Sequence, residues 1–288
     1  MPRGLDHIVH AVRDLDAAAE FYRRAGFIVG ERNRHAWGTH NHIVQFAGFF
    51  MELLTVAEPE MLNGEGFAAL FGDFNRRFLE RHEGLSFMML ESHDAKADAA
   101  QLRAAGFARS DALAFERAGK GADGGVVTVG FSLAFARDPH APDVGFAVCR
   151  QHHPEQFWNK ALQQHANTAS GIAGAVLVAE NPTDHHIFLS AYTGERELHA
   201  GSGVLIAPTP RGDIRIMDKA AFHTRFGLDP PDCSAGARLA AVRFTVRERT
   251  ALHGTLRKSG IPFSEHMGQT VIAPGAAIGA TLVFEEEH

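Results

Sequence analysis

The sequence predicts an α+β fold of repeated βαβββ modules, two per domain, each pair forming a cup-like mixed β-sheet with helices outside. Two observations carry this. The stretch from Leu15 to Phe27, ending Tyr22-Arg23-Arg24-Ala25-Gly26-Phe27, returns in degraded form from Asp98 to Phe107, ending Arg103-Ala104-Ala105-Gly106-Phe107. Fainter copies end at Tyr192-Thr193-Gly194 and at Leu256-Arg257-Lys258-Ser259-Gly260. Glycine commonly closes a helix in the left-handed conformation, so Gly26, Gly106, Gly194 and Gly260 read as four helix stops.

Each stop follows a helix-like stretch, and an apolar strand-like run precedes that: Leu5 to Val12, Leu85 to Leu90, Gly174 to Ala179, Leu239 to Val246. Nineteen positions before the four glycines stand His7, Phe87, Ala175 and Ala241, and only the first can ligate a metal. Further strands follow each helix, divided by turn residues. In the first copy they are Phe27 to Glu31, His42 to Phe46 and Phe49 to Thr55. In the second they are Ala108 to Phe115, Val126 to Phe135 and Val144 to Cys149, with residues 119–125 as a hairpin loop. The third runs through Val204 to Ala207 and Ile214 to Met217, and the fourth ends Thr281 to Phe284. Between the first two copies Phe67, Leu70, Phe71, Phe74 and Phe78 fall at helical spacing, a pattern more often core packing than a lid. The expected division is 1–166, with paired modules at about 1–60 and 84–158, and 167–288 as a second, degenerate pair.

A chain of 288 residues has room for two such domains. The net charge of −6 shows no basic excess, so nucleic acid is not an expected partner. No apolar run reaches membrane-spanning length, and the first residues lack a signal-peptide apolar region, so the chain is expected to start near its gene start. Two cysteines without a pairing pattern, Cys149 and Cys233, favour a reducing cytoplasm. A small-molecule substrate is the expected partner, and a homo-oligomer is compatible with the sequence.

Alternation in the first strand places His7 and Val9 on one face and Asp6, Ile8 and His10 on the other. Glu52 is a lone carboxylate in the apolar run Phe49-Phe50-Met51-Glu52-Leu53-Leu54. A buried carboxylate demands a cation or a hydrogen-bonding partner, so Glu52 reads either as a metal ligand or as bound to a backbone group or an Arg. His153, at the end of the strand that corresponds to the one carrying Glu52, is a candidate third ligand; a strict register instead sets Ala147 opposite Glu52. The strand-turn-strand Arg34 to His42 gathers three His, Trp37 and Asn41. Asn41 and His40, with Trp37, are candidates for orienting a polar substrate, and a surface hairpin is the alternative. Gly119-Lys120-Gly121 lacks the remainder of a phosphate-binding loop, and no Ser-His-Asp or Cys-His arrangement is supported.

Leu5-Asp6-His7-Ile8-Val9-His10 through Ala18, with Gly38-Thr39-His40-Asn41 and Phe50-Met51-Glu52-Leu53-Leu54, resembles the opening module of the vicinal-oxygen-chelate superfamily: glyoxalase, bleomycin-resistance and extradiol dioxygenase proteins. The likeness is specific over the first copy, fair over the second and architectural beyond. It implies two modules forming a cup around one site, with ligands from the first and last strands of both. His7 and Glu52 match those positions, whereas Phe87 and Ala147 occupy them in the second module. The implied cofactor is a divalent ion (Zn, Fe, Mn, Ni or Mg), and a metal-free cup is the alternative. The implied activity is that of a glyoxalase-like lyase, isomerase or dioxygenase-like enzyme in which Glu52 is catalytic. The rival is a non-catalytic drug-sequestering protein of the bleomycin-resistance type.

Overall fold

Eight strands form each of two mixed sheets in the computed structural model, which describes residues 1–62, 64–120 and 125–287. The first sheet runs β2-β3-β4-β1-β5-β8-β7-β6. Its strands are β1 (Leu5–Ala11), β2 (Asn33–Arg34), β3 (Thr39–Phe46), β4 (Phe49–Val56), β5 (Gly84–Glu91), β6 (Leu113–Lys120), β7 (Val126–Ala136) and β8 (Gly145–Gln151). The second sheet repeats the order as β10-β11-β12-β9-β13-β16-β15-β14. There β9 (Ala169–Val178), β12 (Asp213–Met217), β13 (Arg238–Val246) and β16 (Thr281–Glu286) form the centre. The outer strands are β10 (His199–Gly201), β11 (Val204–Pro208), β14 (Ser264–His266) and β15 (Gln269–Ile272). Within each module the first and last strands pair in parallel, and the two modules of a sheet meet through an antiparallel pair, β1 with β5 and β9 with β13.

The helices begin where capping chemistry says they should. Asp14 and Asp94 accept from backbone N–H groups of the first turns of α1 (Leu15–Arg24) and α3 (Ala95–Ala104). α5 (His186–Thr193) ends at Gly194, left-handed at φ 72°, and α7 (Arg249–Lys258) closes beside Gly260 at φ 65°. Helices and the outward strand faces of both sheets share one core, so the cups lie back to back. Phe27 and Phe46 meet Phe244 across that junction, each at 5.4 Å between ring centroids, and each such aromatic pair adds about 1 kcal/mol beyond burial. Arg3 ties the halves together, bonding to Asp98 and Gln101 on α3 and to the Tyr192 carbonyl on α5.

The expected strand at Phe27 to Glu31 does not form. Only Asn33 and Arg34 pair, opposite Asn41 and His40. The second-copy strand expected from Ala108 starts at Leu113, leaving one bridge between Ala108 and Ala136. Of the expected hairpin loop, residues 121–124 lie outside the described residues.

Four bulges correct the repeat register. Each central strand carries an extra residue against its antiparallel partner at a matching place, Asp6 in β1, Ser86 in β5, Ala173 in β9 and Ala240 in β13, and β9 carries a further one at Ser170. The residues that follow these bulges are His7, Phe87, Gly174 and Ala241. Three agree with the count back from the helix stops, but the third is Gly174, because a 3-10 turn, Pro182–His185, adds a residue ahead of α5. Ala175 instead faces the shared core. The parallel partner of the residue two places on is Glu52 (opposite Val9), Ala147 (opposite Met89), Arg215 (opposite Val176) or Val283 (opposite Arg243). Ala147 therefore does stand where Glu52 stands in the first module.

Candidate functional site

Val9, Ala11, Phe87, Met89 and Ala147 face into the first cup, and the insertion between the first two modules closes over them. That insertion is a π-helical turn, Ala68–Gly72, running into α2 (Asp73–Arg81). Its Phe67 and Phe71 line the cavity, while Phe74 packs edge-on against Phe87 at 4.7 Å. The stripe thus serves both packing and closure. The cavity holds about 50 Å³ and opens in part to solvent, with walls that include Trp37, Phe50, Phe67, Phe71, Phe115 and Phe131.

His7 and Glu52 both line this cavity. Asp6 was expected on the opposite face from His7. The bulge turns it inward, and its Oδ1 lies 2.5 Å from His7 Nδ1 while Oδ2 accepts from Gln151 Nε2 at 2.9 Å. The His7 ring stacks on Phe50 at 4.2 Å with 12° between planes. With Nδ1 engaged, Nε2 is the ring nitrogen left for the cavity. The equivalent place in the second module holds the Phe87 ring, lying against Gly145 where a Cβ would come within 2.3 Å of it.

Burial raises the Glu52 carboxyl above the usual carboxylate range, against the opposing pull of the nearby His7 charge and a bond from Asn41. Asn41 donates Nδ2–H to Glu52 Oε1 at 2.5 Å and accepts from Asn33 Nδ2 at 3.0 Å. Asn33 in turn accepts from Arg117 Nη1 at 3.1 Å. His35 Nδ1 pairs with Thr39 Oγ1 at 2.8 Å, and its pKa is lowered to about 3, first by burial and then by the charges of Arg117 and His40. Trp37 is sandwiched between His35, at 4.6 Å, and Phe67, at 4.8 Å.

Of the residues singled out from sequence, the cavity brings together His7, Glu52, Asn41 and Trp37. It leaves out two. Alternation along β3 turns Asn41 and Ile43 inward, so His40 faces the other way, with Nε2 at 2.6 Å from Glu58 Oε1 and Nδ1 accepting from Arg32. His153 stands past the end of β8 at the start of α4 (Pro154–Phe157); its side chain is 41% exposed, and its nearest acidic group is Glu155 at 3.8 Å. His153 is therefore no third ligand in this arrangement. Arg117, Cys149 and His35 line the cavity without having been favoured by the sequence. Arg117 and Cys149 come from the second module, whose contribution only the strand pairing reveals.

Asp6, His7 and Cys149 present one oxygen, one nitrogen and one sulfur within 4.8 Å of one another, a donor set fit for a divalent ion. The Cys149 thiol is pushed well above its usual range by burial and by the Asp6 and Glu52 charges, so an ion would have to displace its proton. A carboxylate on the far nitrogen of an imidazole is also how proteins orient a metal-ligating His, and Asp6 stands in that relation to His7.

The profile of the glyoxalase-like domain family matches residues 5–193. The chain belongs to that family. A hypothetical protein from Staphylococcus aureus is similar over 99% of this chain and 100% of its own, with a TM-score of 0.70 at 13% identity. The Mn(II)-bound glyoxalase from Novosphingobium aromaticivorans is similar over 100% of this chain and 83% of its own, with a TM-score of 0.62 at 15% identity. A mutant 4-hydroxymandelate synthase from Streptomyces coelicolor is similar over 99% and 92%, with a TM-score of 0.60 at 12% identity. At such identities the likeness establishes a shared vicinal-oxygen-chelate fold. No curated protein matches the sequence. Among the described residues, no helix of this glyoxalase-like chain is long and apolar enough to cross a membrane.

Proposed function

We propose that the first half of the chain, residues 1–166, is a divalent-metal-dependent glyoxalase-like enzyme acting on a small oxygenated organic molecule, with 167–288 as a degenerate pair that scaffolds it. The observation that carries the reading is the meeting of His7, steadied by Asp6, with Glu52 in one aromatic cavity. A divalent ion held there supplies Lewis-acid polarisation of a substrate carbonyl or enolate oxygen. Glu52, raised by burial, is placed to take a proton from the carbon beside that oxygen and return it. The Asn41 N–H fixes which carboxylate oxygen faces the substrate. His35, neutral at physiological pH, offers hydrogen bonding and no charge. The aromatic walls restrict water. The proton transfer is isomerase or lyase chemistry, and an oxygenase would share with it only the ion's hold on the substrate oxygen. The relatives' printed activities, a glyoxalase and a hydroxymandelate synthase, support that range.

A second reading, a binding protein of the bleomycin-resistance type, is favoured by Phe87 and Ala147, which leave no ligand at the two places of the second module that match His7 and Glu52. Elemental analysis of tag-free protein separates the two. The enzyme reading expects one equivalent of divalent ion, with affinity reduced about 100-fold or more in His7→Ala and in Glu52→Gln. Protein that takes up no Mn(II), Zn(II), Fe(II), Ni(II) or Mg(II), and binds small aromatic ligands equally well as His7→Ala, would overturn it.

A further inference from the structure

We propose that the cavity receives a monocarboxylate with a flat apolar body, its carboxylate held by Arg117 at the neck between the cavity and the groove outside. The inference rests on the reading of the cavity as a substrate site and names the class of substrate.

Arg117 extends from β6 and, among the described residues, is the only arginine or lysine lining the cavity. It also lines the adjoining outer groove, and Ile43 and Phe157 are the other two residues common to both, so these three mark the passage between them. One edge of the guanidinium is engaged: Nη1 donates to Asn33 Oδ1 and to the Ala118 carbonyl, each at 3.1 Å. The other edge is not. Arg117 Nε is buried without a hydrogen-bond partner, and among the described residues Arg117 forms no ion pair. A buried donor left unmatched is costly, more so for a charged group, and a fully formed fold rarely tolerates it. The indole Nε1 of Trp37, on the same cavity wall, is likewise buried and unmatched.

Two unmatched N–H donors call for an acceptor, and a guanidinium edge calls for an anionic one with two oxygens. A carboxylate fits that edge, while the ring-lined interior takes a planar apolar body and, among the described residues, offers no second arginine or lysine for a second acid group. Asn33 holds Arg117 at the end of the chain that begins at Glu52, so carboxylate capture at the neck and proton transfer within are mechanically linked through Asn41.

The test is binding of phenylacetate against phenylacetamide, its neutral counterpart of the same shape, followed by titration calorimetry on full-length protein, metal-loaded and chelator-treated. The expected result is phenylacetate binding at least tenfold tighter in both forms, a preference abolished in Arg117→Gln and partly kept in Arg117→Lys. Equal binding of the two probes overturns the proposal, as does no binding of phenylacetate at millimolar concentration. A preference that survives Arg117→Gln but vanishes on chelation also overturns it, because the carboxylate then sits on the ion. Metal content is expected to be unchanged in Arg117→Gln. A protein that binds no metal yet prefers phenylacetate through Arg117 would sink the enzyme reading and leave this one standing.

Discussion

The two cups share their strand order, yet they pair their interior charges to different extents, although among the described residues each keeps one buried arginine Nε unmatched, Arg117 in the first and Arg225 in the second. In the first, His7 follows the bulge, Glu52 lies diagonally across on the last strand, and the cavity retains unmatched donors on Trp37 and Arg117. In the second, Gly174 and Ala241 follow the bulges and Arg215 takes the place of Glu52. There the charges close on one another. Arg243 donates Nε to Glu285 Oε1 at 2.6 Å and Nη2 to Oε2 at 3.0 Å, and also bonds to Asp213, which accepts from Arg215 Nη2 at 2.8 Å. A cation at the Glu52 place repels a metal, and a carboxylate already neutralised by arginines attracts one weakly. The difference teaches that a ligand site depends on groups left open by the fold as much as on the residue types present.

The sharpest break of this comparison is Arg243→Ala. Arg243 is 3% exposed and bridges two carboxylates, so its loss leaves Glu285 without a cation, bonded to Gln269 alone, and Asp213 with Arg215 alone. Breaking a buried pair of this kind costs about 3–5 kcal/mol, to be read from denaturant unfolding. His7→Ala in metal-free protein is expected to cost far less, since Asp6 keeps its bond from Gln151. A destabilisation by Arg243→Ala no greater than that of His7→Ala would show that the second cup is not held by its charges.

Acid should separate the cups next. Burial lowers His35 to about 3 and His10, His82 and His165 to about 4, and all four belong to the first half of the chain. A histidine whose folded pKa lies below its ordinary value of about 6.5 is protonated first in the unfolded chain. Stability is therefore flat above about pH 6.5 and falls as pH drops toward about 4. For His10 alone, fully buried between Tyr22 and the Ile278 carbonyl, the full effect is about 3 kcal/mol. His10→Asn is expected to flatten that slope, and hydrogen exchange at about pH 5 should show the first sheet opening before the second. Simultaneous opening of both sheets would contradict it.

These contrasts also show what the sequence made legible. The helix-stop glycines carried the module count, and the lone carboxylate in an apolar strand carried Glu52, because burial pattern is written locally. Bulges are not. A single extra residue turned Asp6 from the far face to a partner of His7, and another shift moved the third register position from Ala175 to Gly174. His40 and Asn41 were inseparable until the pairing of β3 fixed which side chain faces inward. Arg117 carried no local signal at all: it reaches the site through the second module's strands, which line the cavity as fully as those of the first.

The smallest expected effect, and the one that bears most directly on the opening contrast, is Glu52→Gln in metal-free protein. Burial raises the Glu52 pKa, so in the metal-free cup its ionisation is disfavoured relative to the unfolded chain. The sign follows: the folded state is relatively most stable below the ordinary carboxylate range and loses stability as pH rises through the raised pKa. The glutamine of the variant would keep an oxygen for the Asn41 N–H and never ionise. The substitution should therefore stabilise the metal-free protein at about pH 8, and the gain should fade toward about pH 4. Added metal should reverse the order, raising the melting temperature of the wild type and not of the variant. Arg215→Gln in the second cup should show neither the pH-dependent gain nor the metal-dependent reversal, because Asp213 already neutralises it. A Glu52→Gln protein that is less stable than wild type in mild alkali without metal would mean that Glu52, too, is satisfied within the fold, and that the two cups differ in composition but not in kind.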